Sequence, residues 1–163
     1  MNVREALIQI RHMINDKDEL ELEEEELLMY LNKAIQYVAS YLVQANSTYM
    51  VQDMTVSTET ASLPDNFIKT AGNFPIKITG NTLKWLDYEA GHSIKIRFFA
   101  TCGLVDLEDE LPFHHDALNQ QTVHLASIYA LNQIEADISQ DKALLDEINA
   151  ALAQVVGGVV MEK

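Results

Sequence analysis

Ile76-Lys77-Ile78-Thr79-Gly80-Asn81-Thr82-Leu83-Lys84-Trp85 is the stretch on which the fold turns. Apolar and polar residues alternate on both sides of a Gly-Asn pair, and that pair is the length of a tight hairpin loop. A two-residue loop of this type suits a type II′ turn, with glycine supplying the positive φ at its first position. The register that follows pairs Ile78 with Leu83 and Ile76 with Trp85 on one face. Lys77 then lies opposite Lys84 on the other face, where like charges repel slightly.

Alternation resumes after the Gly91-His92 turn at Ile94-Lys95-Ile96-Arg97-Phe98, which reads as a third strand. Upstream, Tyr49-Met50-Val51 and Met54-Thr55-Val56 have strand-like composition. The expected product is a small central antiparallel sheet with one apolar face. If the third strand joins the hairpin, Lys95 and Arg97 extend the basic face of Lys77 and Lys84. That face is either solvated or a docking surface for acidic helices of a neighbouring copy.

On both sides of this region the period becomes helical. Leu7, Ile8, Ile10, Met13 and Ile14 predict a helix over Val3–Asn15. Leu27, Leu28, Leu31, Ala34, Ile35, Val38 and Leu42 hold the helical period from Glu23 to about Gln44, where Ala45-Asn46-Ser47 ends it. Between these helices, eight carboxylates and one lysine fill the eleven residues from Asp16 to Glu26. Carboxylates at a helix N-terminus complement its positive dipole end. After Leu111-Pro112, with Pro112 suited to a first turn, a third helix carries Ala117, Leu118, Leu125, Ile128, Tyr129, Leu131 and Ile134. Ser139 reads as the N-cap of a fourth, whose Leu144, Leu145, Ile148, Leu152 and Val155 lead to a stop at Gly157-Gly158. Two helices, a small sheet and two helices make a mostly helical α+β fold, read as a single domain over residues 1–163.

Charge follows the same three zones. Residues 1–46 hold four basic and nine acidic side chains, residues 47–101 five of each, and residues 102–163 two against eleven. The helical ends therefore carry net charges of −5 and −9 about a neutral middle, within a total of −14. Such acidity argues against a nucleic-acid clamp, which neutralises phosphates with Lys and Arg. A length of 163 residues and 48% hydrophobic content suffice for a core. No apolar run approaches the ~20 residues of a membrane span. The first residues lack the apolar core of a signal peptide, so export is not expected. The single cysteine, Cys102, fits a reducing cytosol and stands in no catalytic motif.

Candidate chemistry is sparse. His114-His115-Asp116 is the most metal-like cluster, but adjacent helical residues diverge by roughly 100° and seldom chelate together. The familiar histidine pair four residues apart is missing, because Asn119 follows His115 at that spacing. A solvated helix start is the plainer reading, and a metal-dependent enzyme using these residues is the alternative. The acid run contains no glycine to wrap carboxylates around Ca²⁺. His12 and Asp16, four apart, read as a surface pair. Phosphate-cradling loops, nucleophile elbows and His-Glu-x-x-His motifs do not occur. The sequence thus suggests no catalytic residue, no metal and no cofactor. Val159-Val160-Met161, after the glycine pair, is an apolar tail that either packs on the core or anchors a partner.

Three segments together resemble the head–tail connector (adaptor, or head-completion) proteins of tailed bacteriophages and prophages. Glu26-Leu27-Leu28-Met29-Tyr30-Leu31-Asn32-Lys33-Ala34 is similar to that family's acid-led helix with a Leu-Asn-x-Ala core. Leu63-Pro64-Asp65-Asn66-Phe67-Ile68-Lys69 is similar to its Leu-Pro-x-x-Phe entry into the central sheet. Glu110-Leu111-Pro112-Phe113-His114-His115-Asp116-Ala117-Leu118, with Ile128-Tyr129-Ala130-Leu131, resembles its Pro-led helix ending in an apolar Tyr-x-Leu turn. The resemblance implies a non-enzymatic structural subunit that forms a homo-oligomeric ring beneath the portal. It implies portal and tail-completion proteins as partners, with DNA only as passing cargo and no membrane. It also implies residence in the virion neck, and in the host bacterial cytoplasm during assembly. A tail-completion or tail-terminator protein of the same virion is the alternative within that setting.

Overall fold

The computed structural model describes residues 1–16, 21–134 and 141–158. The expected Ser139 cap and the Val159-Val160-Met161 tail lie outside the described residues. The chain divides into two compact units, one made of residues 1–41 and 102–163, the other of Leu42–Thr101.

The first unit is helical. Helix α1 (Val3–Met13) opens on a reciprocal cap: the Asn2 side chain accepts from the Glu5 amide at 2.8 Å, and Glu5 Oε2 accepts from the Asn2 amide at 3.1 Å. Helix α2 (Glu24–Gln44) starts with three glutamates, and Glu26 Oε2 accepts from the Glu23 amide at 3.0 Å. The acid-led start thus holds the local polarity expected for it. Helix α3 (Asp116–Ile134) packs against α1 and against α4 (Asp141–Gly158). Buried positions surround α3 on nearly every side, from Leu118 to Ala130. Its buried hydroxyls fold back on the helix, Thr122 Oγ1 donating to the Leu118 carbonyl and Ser127 Oγ to that of Val123.

One helix boundary differs from expectation. Pro112 precedes α3 by four residues and is not in its first turn. Leu111 and Phe113 are buried in the approach, and the Phe113 carbonyl accepts the Asn119 side-chain amide at 2.8 Å, so the turn cannot tighten into helix there. Helix α4 reaches the Gly157-Gly158 pair expected to end it, with Gly158 its last residue.

The acid stretch hides one structural residue. Asp16 is 3% exposed and receives Arg11 Nη1 at 2.8 Å, the Glu21 amide at 3.1 Å and the Leu22 amide at 3.2 Å. Arg11 also donates to the Leu22 carbonyl at 3.0 Å. Asp16 is therefore no part of a solvated charge run. It ties the end of α1 to the entry of α2.

The second unit is all strand after a single 3-10 turn at Thr48–Met50. Strand β6 (Ile94–Ala100) lies between β1 (Val51–Val56) and β3 (Phe67–Thr70) in one antiparallel sheet. A second antiparallel sheet has β5 (Thr82–Trp85) between β2 (Thr60–Ser62) and β4 (Ile76–Thr79). The β4–β5 hairpin has the expected register, with Ile76 opposite Trp85, Lys77 opposite Lys84 and Ile78 opposite Leu83. Gly80 carries φ +59° while Asn81 stays at negative φ, the type II′ pattern. Ile78, at the hairpin tip, remains 39% exposed, so the apolar face is buried only toward Leu83 and Trp85.

The hairpin and β6 are not in one sheet. The free edge of β5 is taken by β2, with Thr60 opposite Lys84 and Ser62 opposite Thr82. Strand β6 instead faces the hairpin across a core of Val56, Leu63, Leu83 and Ile96, joined by Met54, Phe67, Phe74, Ile76 and Ile94. Stacking lets each apolar face cover the other, whereas one flat sheet would leave that face in water. Fully burying a side chain such as Leu83 or Ile96 contributes about 1.5–3 kcal/mol.

Candidate functional site

The four basic residues singled out in the sequence fall on two separate sheets. Lys77 and Lys84 are paired across the hairpin, and Lys84 Nζ lies 3.2 Å from Glu59 Oε1. Lys95 and Arg97 are on β6, so they do not extend the hairpin's basic face. Alternation sends their side chains outward, while Ile96 and Phe98 point into the core.

Register then builds a cationic cleft on the outer side of the β1–β6–β3 sheet. Phe99 sits between Val51 on β1 and Lys69 on β3, and two residues back along the same face Arg97 is opposite Asp53. Lys69 Nζ lies 5.0 Å from the Phe99 ring centroid and donates to Asn46 Oδ1 at 2.9 Å. Asp53 is shared: Lys95 Nζ approaches one oxygen at 2.8 Å and Arg97 Nε the other at 3.6 Å. The hydrogen bond from Lys95 holds the Asp53 carboxyl below its ordinary value, with further help from the Arg97 charge. Two cations thus share one carboxylate, and Lys69 stands near them on a neutral amide, in a chain whose carboxylates outnumber its cations 25 to 11.

The cleft beside them has a volume of ≈ 570 Å³. Lys69, Arg97 and Asp53 line it together with the apolar Val51, Ala71 and Phe99. Asn46, at φ 54°, sits in the turn that brings its amide to Lys69. This chemistry suits an oxyanion placed beside an apolar group. Lys69 stands in the Leu-Pro-x-x-Phe segment and was not among the sequence candidates; its position opposite Phe99 depends on a strand pairing that no local pattern announces.

In the helical unit, residues 102–111 form a loop held at three points. Gln36 Nε2 donates to the Cys102 carbonyl at 2.9 Å. Asn32 makes a pair with the Val105 backbone, donating to its carbonyl at 3.0 Å and accepting from its amide at 2.8 Å. Farther on, Asn2 bridges Glu110, and the Val3 amide donates to the Asp109 carbonyl at 2.9 Å. Arg4 also pairs with Glu108. Leu104, between the first two ties, is 77% exposed. Asp106, Glu108, Asp109 and Glu110 follow it, all exposed. The Asn32 pair explains why the Leu-Asn-x-Ala segment carries an asparagine: an apolar residue there would leave two backbone groups of the buried Val105 without partners.

The remaining candidates separate. Burial pushes the Cys102 thiol up to about 11, so it is protonated at neutral pH and poorly nucleophilic. The His115 carbonyl accepts from the Leu118 and Asn119 amides as the cap of α3, while His114 is exposed outside the helix. Among the described residues no group of three His, Cys, Asp or Glu side chains is placed to hold a metal ion. Among them, too, no helix is long and apolar enough to cross a membrane. No protein-family model matches the chain, and no curated protein matches it.

Proposed function

We propose that this chain is a structural head–tail connector subunit of a tailed phage or prophage, assembling as a ring beneath the portal and lining part of the DNA conduit. The observation that carries the reading is the ordered resemblance of its three segments, in a chain whose acidic helical ends flank a neutral strand region. The resembling residues have structural work to do here. Leu27, Leu31 and Ala34 are fully buried, Asn32 clamps the Val105 backbone, Leu63 enters the strand core, and Leu111 and Phe113 are buried ahead of α3.

The charge distribution supports the same role. A conduit has to let DNA slide, and a wall rich in carboxylates repels phosphates where a basic wall would hold them. Uneven charge along the chain also suits head-to-tail contacts between copies, which close into rings when the rotation permits. Negative-stain imaging of the chain mixed with its portal protein tests the proposal. Rings seated on the portal are expected; strict monomers, both alone and with the portal, would overturn it.

A further inference from the structure

We infer that copies of this chain join through a knob and a cleft: Leu104 and the carboxylates that follow it on one copy enter the Lys69–Arg97 cleft of the next. The inference rests on the ring reading and names its contact. Leu104 is the most exposed large apolar side chain among the described residues, at 77%. An exposed leucine on a slack loop would carry little meaning. This one is held between the Gln36–Cys102 and Asn32–Val105 ties, so the loop presents it without first having to be ordered. Four exposed carboxylates stand within the next six residues, from Asp106 to Glu110.

The cleft is complementary in both respects. Val51, Ala71 and Phe99 give it apolar lining for the leucine. Lys69 has a neutral amide as its hydrogen-bond partner, and the lining carboxylate Asp53 is shared by Arg97 and Lys95, so three cations against one anion leave positive charge for an incoming carboxylate. Its ≈ 570 Å³ accommodates a leucyl side chain and an adjacent carboxylate. Knob and cleft are different surfaces, so the contact is heterologous and propagates head to tail.

Two variants test this. Leu104→Asp removes the knob, and Lys69→Glu with Arg97→Glu reverses the cleft; all three positions are exposed, and far-UV circular dichroism checks that each variant folds. Light scattering on a sizing column reads assembly at high concentration, with portal protein added where the wild-type chain needs it. Each variant alone is expected to lose self-association by at least about tenfold, the equivalent of burying one leucine. An equimolar mixture is expected to stop at a heterodimer, because one intact knob meets one intact cleft and nothing remains to extend the chain. If the wild-type chain assembles and the variants assemble equally, the knob-and-cleft contact is wrong while the ring reading stands. If the mixture stays monomeric or forms full rings, the pairing of these two surfaces is wrong. A wild-type chain that never assembles, even with the portal, overturns the ring reading and this contact together.

Discussion

Replacing Asp16 with alanine should destabilise the helical unit far more than removing any exposed acid of the same run. Asp16 is 3% exposed and Arg11 8%, so the substitution takes the carboxylate from a guanidinium that is almost wholly out of water. It also strips partners from the Glu21 and Leu22 amides. Removing one member of a buried ion pair costs about 3–5 kcal/mol. The low end applies, because Arg11 keeps its bond to the Leu22 carbonyl at 3.0 Å. With a urea dependence of about 2 kcal/mol per molar, a 3 kcal/mol loss moves the midpoint down by roughly 1.5 M. Urea titration followed by helical circular dichroism reads this directly, with Glu25→Ala as the exposed control. Replacing both partners together, Arg11→Met with Asp16→Leu, should recover most of the loss, since well-packed apolar groups leave no buried charge unpaired. A midpoint for Asp16→Ala within the error of the Glu25→Ala control would refute the reasoning.

Asn32→Ala should cost about 1–3 kcal/mol by leaving the buried Val105 amide and carbonyl unpaired; hydrogen exchange at the Val105 amide should speed up, and unchanged exchange would contradict the clamp. Alkylation of Cys102 should be slow at neutral pH and reach half its limiting rate only near pH 11, as a thiol pushed up to about 11 requires; a rate half-maximal near the ordinary value of 9.0 would show an unperturbed thiol. Asp53 should titrate below its ordinary value of 3.8. A lowered carboxyl adds stability that is present above its unfolded value and is lost as pH falls through the folded one. Asp53→Asn should therefore flatten the acid-side decline in melting temperature, by a small amount because the group is exposed, and an unchanged slope would count against the Lys95 bond.

The local features of this fold were legible and the long-range ones were not. The hairpin register depends only on alternation and a Gly-Asn loop, both contained in ten residues. The division into two sheets depends on which strand takes the free edge of β5. That strand is Thr60-Ala61-Ser62, too short to show a period. Once it is seated, Lys95 and Arg97 belong to a different face from Lys77 and Lys84. Asp16 is one carboxylate among eight in its run, and only contact with Arg11 marks it as buried. Pro112 misplaces the start of α3 because propensity is a weak signal beside tertiary contacts such as the Asn119–Phe113 bond. Leu104 belongs to no periodic pattern, and its meaning comes from the two amide ties on either side of it. The cleft needs Lys69, Phe99 and Arg97 on one face, a consequence of the bulged β3–β6 pairing.

The central claim is that this chain forms rings on a portal, and the mass of the assembled particle tests it most directly. Mass photometry of purified portal, with and without an excess of this 18.4 kDa chain, reads how many copies are added. A discrete increase equal to a whole number of subunits, the same on every portal particle, is the predicted result. A portal mass unchanged by the chain at any concentration would contradict it.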